Sequence, residues 1–287
     1  MSLSPWIAGA RPRTLPAAVV PVAIGTGVAI SQRSFRPAEA VLALGVSLSL
    51  QIASNFSNDY SDGIRGTDER RAGPMRLVSS GLKTPTAVKR AAVGLFVLAA
   101  VLGLALAALT SYWLIAVGAG AILAGWLYTG GPKPYGYYGY GELFVFIFFG
   151  LVAVVGTAFV QTGHVDLAEF LVAVPVGLSS VCLLVVNNLR DIPSDAKSGK
   201  KTLAVRMGDR STRVLYAVLV MLMFLFVSIS GFWFHFAPLG LLAIPFSIQP
   251  LRSVLGGAIG KDLIPALGMT GRMQLALALF FSVGIAI

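Results

Sequence analysis

Asn58-Asp59-Tyr60-Ser61-Asp62-Gly63-Ile64-Arg65-Gly66-Thr67-Asp68 closes one long apolar run, and Asn187-Asn188-Leu189-Arg190-Asp191-Ile192-Pro193-Ser194-Asp195 closes another. Each stretch puts carboxylates where a helix would leave a membrane. Asp59 and Asp62 are three apart and share a helix face; Asp191 and Asp195 are four apart and share one if the helix survives Pro193. Four carboxylates on two helix ends suit a hard divalent cation. Mg²⁺ takes oxygen ligands, keeps several waters, and binds through one or two carboxylates plus a substrate phosphate. The pattern points to a magnesium–diphosphate site at a membrane surface, with Asp59, Asp62, Asp191 and Asp195 as ligands. The plainer reading is that Asp and Asn end helices and make turns. Acidic residues at helix C-termini, however, oppose the helix dipole. Charges near lipid are also costly, so their recurrence at two apolar segments argues for function.

Composition sets the class. The chain has 287 residues, 56% hydrophobic and 12% charged, with mean hydropathy +0.81. It reads as one polytopic, all-α membrane domain over residues 1–287. A net charge of +10 raises the question of nucleic acid, but the basic residues fall in particular loops, where orientation and anionic headgroups account for them. Membrane lipid is the expected surroundings and nucleic acid is not an expected partner. Cys182 is the single cysteine, so no disulfide framework forms. Arg11 and Arg13 precede an apolar run without a small-residue cleavage site, which reads as a retained first helix.

Nine apolar segments approach the ~20 residues a spanning helix needs. They run over 12–31, 38–58, 87–109, 112–129, 142–161, 167–188, 212–232, 236–251 and 271–287. The eighth is short and carries Pro238, Pro245 and Pro250. With nine spans, 20 of the 22 Lys and Arg fall on the side of the N-terminus and only Arg33 and Arg36 on the other. The positive-inside rule puts the N-terminus and both acidic stretches in the cytoplasm and the C-terminus outside. The expected location is the cell membrane. The acidic stretches close the second and sixth segments, which hints at two four-helix halves converging on a central cavity beneath cytoplasmic cap loops.

The connecting loops supply cations. After the second segment, Glu69-Arg70-Arg71-Ala72-Gly73-Pro74-Met75-Arg76 turns at Gly73-Pro74 and brings arginines within reach of phosphate oxygens. After the fourth, Tyr128-Thr129-Gly130-Gly131-Pro132-Lys133-Pro134-Tyr135-Gly136-Tyr137-Tyr138-Gly139-Tyr140-Gly141-Glu142 holds Lys133 stiffly between two prolines. Its tyrosines also suit an interfacial belt. Glu142 opens the fifth segment, where a carboxylate suits the dipole. After the sixth, Gly199-Lys200-Lys201-Thr202 lacks the G-x-x-x-x-G-K-[ST] spacing and the preceding strand of a nucleotide loop. Lysines beside the second acidic pair still suit a diphosphate. His164 and His235 lie in outer loops, so neither zinc nor Cys/His nucleophile chemistry is indicated.

These strings resemble the intramembrane aromatic prenyltransferases of the UbiA superfamily. NDYSDGIRGTD, GPMRLVSSG, YTGGPKPYGYYGYGE and NNLRDIPSDAKSGKKTLAVRMG, in this order, are similar to its menaquinone-synthesising branch, and the match covers essentially the whole chain. The commoner pattern has a third Asp four residues after the second; here Asp68 follows Asp62 by six, a departure that resembles the menaquinone branch. The resemblance implies a nine-helix bundle around a central cavity. It also implies transfer of a polyprenyl group from polyprenyl diphosphate to 1,4-dihydroxy-2-naphthoate, releasing carbon dioxide and diphosphate and giving demethylmenaquinone.

On that reading Mg²⁺ sits on Asp59, Asp62, Asp191 and Asp195, with Asn58 and Asn188 beside it, and assists the leaving diphosphate. Arg65, Arg76, Lys133, Lys197 and Lys201 are the candidates to neutralise the remaining charge. The allylic cation needs dry, π-rich walls, for which Phe144, Phe146, Phe148 and Phe149 are candidates. Asp68 and Glu142 are the candidates to deprotonate a ring hydroxyl, and the tail lies in the apolar bundle. The alternatives are a superfamily member using 4-hydroxybenzoate, homogentisate or a non-aromatic acceptor, and a cation-coupled transporter. Transporter sites lie near the bilayer midplane on broken helices, whereas these carboxylates lie at segment ends. A CDP-alcohol phosphotransferase would need D-G-x-x-A-R, of which only Asp62-Gly63 is present.

Overall fold

Long apolar runs bounded by proline and glycine fold as helices, and among the described residues no strand occurs. The structure is a computed structural model and describes residues 5–67 and 75–287. In chain order the helices are α1 (Pro5–Ala10), α2 (Pro16–Ser31), α3 (Pro37–Ile64), α4 (Pro85–Leu109) and α5 (Leu114–Leu127). They continue with α6 (Gly141–Thr162), α7 (Leu167–Lys197), α8 (Leu203–Phe232), α9 (Ala237–Leu255) and α10 (Gly260–Ala286). Proline begins α2, α3 and α4, where its missing N–H costs nothing.

Every apolar segment anticipated from the sequence is helical, and the exact count of nine spans is not confirmed among the described residues. Seven described helices are long and apolar enough to cross a membrane, and the pair Pro5–Thr14 and Pro16–Ser31, bent by 50°, makes an eighth if it is one span. The shortfall is α5, which has 14 residues. At 1.5 Å per residue it extends about 21 Å, against the roughly 30 Å of a hydrocarbon core.

Two helices run the other way. α3 has 28 residues and α7 has 31, so they extend about 42 and 46 Å and overshoot that same core. Asp59 and Asp62 therefore lie within the last turns of α3, and Asp191 and Asp195 within those of α7, past the expected ends at 58 and 188. α7 continues through Pro193 to Lys197.

α7 is the central post. Its membrane-length window is 78% buried, against 28% for α4. It packs on α6, α8 and α10, and one core joins Val176, Cys182 and Val186 to Ile24, Val154, Tyr216, Met223 and Phe281. Within α6, Phe146–Val152 is a π-helical stretch. A Cβ built on Gly150 would sit 2.6 Å from Gly177 Cα, so the two backbones touch there and only glycine fits. α8 is broken at Gly208, whose φ of 78° belongs to the left-handed region.

Candidate functional site

The two acidic stretches meet through the loops beyond them. Lys200 follows α7, and its backbone N–H donates to Asp195 O at 2.9 Å. Its ammonium lies 3.0 Å from Asp62 Oδ2 on α3, with both side chains buried. Tyr137, from the loop between α5 and α6, donates its hydroxyl to Asp62 Oδ1 at 2.6 Å. Lys200 Nζ also stands 4.8 Å from the Tyr137 ring centroid, and Lys201 N–H closes the link by donating to Tyr137 O. Burial, then the Asp62 charge and the bond to it, hold the Tyr137 hydroxyl well above its ordinary pKa, so it stays a donor. Tyr128, just past α5, is raised likewise by burial, with smaller contributions from Glu142, Tyr135, Asp195 and Asp62.

Below this mouth lies a cavity of about 660 Å³. It is lined by stripes from two helices: Gln51, Ser54, Asn55 and Asn58 of α3, and Ser180, Leu183, Leu184, Asn187 and Arg190 of α7. The three- and four-residue spacing is one helix face in each case. Arg11, Arg13 and Arg76 complete its polar end, and among the described residues no Asp or Glu lines it. Tyr128, Tyr135, Phe144 and Phe148 form an aromatic row along one wall, with successive centroids 5.5, 4.0 and 6.2 Å apart.

The anticipated site residues fall into distinct uses. Asp62, Asp191 and Asp195 lie near the mouth, and Asn58 lines the cavity while its Oδ1 accepts from Thr129 Oγ1 at 2.8 Å. Asp191 is held by Arg190 at 2.7 Å. Asp59 differs: its oxygens accept from the backbone N–H groups of Leu77 and Val78 at 2.8 and 3.1 Å. It is fully buried and anchors the turn after Arg76. Leu77 plugs a pocket of Phe56 and Val88, and Val78 lies over Gly63. Asp59 and Asp62 thus diverge despite their shared face, because each meets a different loop.

Other candidates are displaced from their expected tasks. Arg65 clasps the carbonyls of Thr129 and Gly131 and stacks over Tyr137. Asn188 donates to Glu142 Oε1 at 3.0 Å, and neither residue lines the cavity; its neighbour Asn187 does. Lys133, Lys197 and Lys201 are exposed. Phe144, Phe148 and Phe149 line the cavity, but Phe146 is turned onto Gly177. Asp68 lies outside the described residues. Lys200, Arg190, Tyr137, Arg11 and Arg13 were not singled out from the sequence. Lys200 stood in a run of similar lysines, Arg190 looked like one more basic residue near a membrane, and Arg11 and Arg13 looked like orientation signals.

At the opposite end, His164, Asp166 and Glu169 bring their ligand atoms within 4.8 Å of one another. Asp166 and Glu169 form the capping box of α7, and Glu169 also accepts from Gln32 Nε2. Helix capping accounts for that cluster.

The comparisons agree with this architecture. The model of the UbiA prenyltransferase family matches residues 18–255. The chain is 49% identical over 278 residues to 1,4-dihydroxy-2-naphthoate octaprenyltransferase of Mycobacterium tuberculosis, covering 97% of this chain and 95% of that one. It is 36% identical to the enzyme of the same name from Escherichia coli, covering 98% and 94%. Among solved structures, a UbiA homologue from Archaeoglobus fulgidus bound to GPP and Mg²⁺ superposes with a TM-score of 0.73 at 18% identity over 99% of each chain. With an all-helical membrane architecture and a cavity beneath two acidic helix ends, the chain belongs to the UbiA prenyltransferase family.

Proposed function

We propose that this prenyltransferase moves a polyprenyl group from polyprenyl diphosphate to 1,4-dihydroxy-2-naphthoate, with loss of carbon dioxide, giving diphosphate and the quinol form of demethylmenaquinone, whose oxidation to the quinone is a separate step. The observation that carries the reading is the joining of the two acidic helix ends by Lys200 above a cavity with arginines at one end and aromatic rings along its wall. Relatives named for this reaction support the acceptor.

The residues present fit a divalent cation. Asp62, Asp191 and Asp195, with the Asn58 carbonyl, offer hard oxygen donors. Two of these carboxylates already face positive charge, from Lys200 and Arg190. Asp59 is left out of this set because its partners are main-chain amides of a turn, which cannot swing aside as the Lys200 and Arg190 side chains can, and Asn188 because it does not line the cavity as Asn58 does. Mg²⁺, when bound there, supplies charge neutralisation of the diphosphate leaving group.

The chain's own residues do the rest. Arg76, Arg11, Arg13 and Lys200 bind phosphoryl oxygens and orient the donor with C1 toward the cavity. The carbon–oxygen bond at C1 breaks with its electron pair leaving on diphosphate. The faces of Phe144, Phe148 and Phe149 stabilise the allylic cation and exclude water. The electron-rich ring forms the new carbon–carbon bond, and the carboxylate leaves as carbon dioxide with its bonding pair returned to the ring, so that a proton taken from the ring hydroxyl is given back to it. Asp68 remains a candidate to take the hydroxyl proton; Glu142, held on Asn188 outside the cavity, instead orients that asparagine. The positive-inside bias supports a cell-membrane location with the site cytoplasmic and the C-terminus outside.

The test is a detergent-solubilised assay with Mg²⁺, a long allylic diphosphate, and 1,4-dihydroxy-2-naphthoate against 4-hydroxybenzoate. The expected product is the prenylated, decarboxylated naphthol. Turnover with the benzoate alone would move the enzyme to another acceptor, and folded protein active on neither would remove the aromatic acceptor.

A further inference from the structure

The corner between α1 and α2 carries Arg11 and Arg13 to the polar end of the cavity, in a backbone that the local sequence disfavours. Arg11 has φ 54° and ψ 70°, in the left-handed region that residues other than glycine seldom adopt. It also precedes Pro12, and a residue before proline is pushed toward extended backbone. Among the described residues the other non-glycine with positive φ is Arg33. Arg33 follows α2 in a closed helix cap: its N–H donates to Ile30 O, and the next N–H, of Ser34, donates to Ala29 O. Arg11 likewise donates back to Ala8 O after α1, but Pro12 has no N–H with which to close the cap.

The missing support comes from α3. Asn55 Nδ2 donates to Ala10 O at 2.9 Å and to Thr14 Oγ1 at 3.1 Å, so one amide brackets Arg11 from both sides. Thr14 Oγ1 in turn donates to Arg11 O at 2.9 Å, and Gln51 Nε2 donates to Thr14 Oγ1 at 3.3 Å. The main-chain oxygen of Asn55 accepts from Arg11 Nη2 at 3.3 Å. The guanidinium is thereby laid against the stripe of α3 that lines the cavity. Arg11 is half-buried, Arg13 is exposed, and both line the same space. Asn55 is buried, so water does not compete for its bonds.

We propose that Asn55 is a positioning residue for the donor's diphosphate, holding the Arg11 corner in its disfavoured backbone so that Arg11 and Arg13 meet phosphoryl oxygens. This assignment rests on the prenyl diphosphate reading above. A non-glycine residue persists in such a conformation only where its surroundings over-determine it, and such residues gather at binding sites. Asparagine suits the task because its amide supplies two donors, one for a carbonyl and one for a hydroxyl, which a carboxylate cannot do.

Pyrophosphate binding with Mg²⁺ would be titrated on the full-length protein in detergent, and KM and kcat measured with a long allylic diphosphate. Asn55→Ala is expected to weaken pyrophosphate by about 10–30-fold, the scale of a lost charge-assisted bond. KM for the donor should rise by a similar factor, while kcat falls by less than about threefold. In a background of Arg11→Ala with Arg13→Ala, adding Asn55→Ala should cost less than about threefold more, because the arginines it positions are already gone. Full pyrophosphate affinity in folded Asn55→Ala overturns the assignment. So does an equal loss in the arginine-free background, which makes Asn55 a support of the fold alone. Should Asn55→Ala not fold, Thr14→Val, which removes the hydroxyl linking Asn55 to Arg11, is judged by the same outcomes, with at least about a threefold loss expected. Wild type that binds no pyrophosphate with Mg²⁺ removes the diphosphate reading, and this assignment with it.

Discussion

Lys200 Nζ stands 3.0 Å from Asp62 Oδ2, and this buried pair joins the end of α3 to the segment that follows α7. The ammonium lies where a metal-binding carboxylate would need a counter-charge. Removing one partner of a buried pair typically costs about 3–5 kcal/mol, because the other charge is left uncompensated. Lys200→Ala should therefore lower the thermal midpoint of the metal-free protein. Saturating Mg²⁺ should restore much of the loss, since a cation on Asp62 replaces the missing charge. An equal loss with and without Mg²⁺ would show that Lys200 acts only as packing.

Asp59 and Asp62 should part company on mutation. Asp59→Ala leaves the buried amides of Leu77 and Val78 without an acceptor, at about 1–3 kcal/mol each. It should destabilise the protein and speed hydrogen exchange across 77–80, while Mn²⁺ affinity, measured by electron paramagnetic resonance, changes by less than about threefold. Asp62→Ala and Asp191→Ala should abolish both Mn²⁺ binding and transfer. Loss of Mn²⁺ binding in folded Asp59→Ala would return that residue to the ligand set.

Chelation offers a simpler check. EDTA should stop prenyl transfer, and Mg²⁺ in excess should restore it, because a divalent cation on the carboxylates neutralises the diphosphate as it leaves. Continued turnover after exhaustive chelation, confirmed by elemental analysis, would rule out the metal role.

Tyr137 gives a pH-dependent signature. Its hydroxyl titrates higher in the folded state than in the unfolded one. A group raised in this way stabilises fully below the unfolded value, about 10 for tyrosine, and that contribution fades as pH rises through the folded value. Tyr137→Phe should lose about 1.5–3 kcal/mol at neutral pH, the worth of a bond to a charged acceptor. Its alkaline decline should be shallower than that of wild type in thermal scans from pH 8 to 11.

Two glycines of α6 should respond oppositely to alanine. A Cβ at Gly150 meets the Gly177 backbone at 2.6 Å, whereas one at Gly156 meets nothing within 4 Å. Gly150→Ala should cost about 1–3 kcal/mol through overpacking. Gly156→Ala should be neutral or stabilise by up to about 1 kcal/mol, since alanine favours the helix. Thermal unfolding of the two variants distinguishes this from a shared requirement for flexibility.

The helical architecture was legible because apolar runs near spanning length have few other folds open to them. The count is less firmly set: α5 is apolar throughout, yet its 14 residues fall short of a full span. The ends of α3 and α7 were misjudged because their last turns are polar, and hydropathy reads polar turns as loops. The D-x-x-D spacing correctly put Asp59 and Asp62 on one side of α3, but which loop reaches each depends on chain contacts 18 or more residues away. Lys200 and Lys201 are adjacent and alike in sequence, and only the turn after Asp195 buries one and exposes the other.

The overshoot of α3 and α7 has a further consequence. A helix of 31 residues in a membrane about 20 residues thick lets one rigid rod stand in two solvents. The ionic half of the donor can then be handled in water while its hydrocarbon half stays in oil, with no energetic toll for dragging either across. On this view the enzyme works as a fixed phase boundary. Donor chain length is then limited by partitioning into the surrounding lipid or detergent, and less by the 660 Å³ enclosed within the protein.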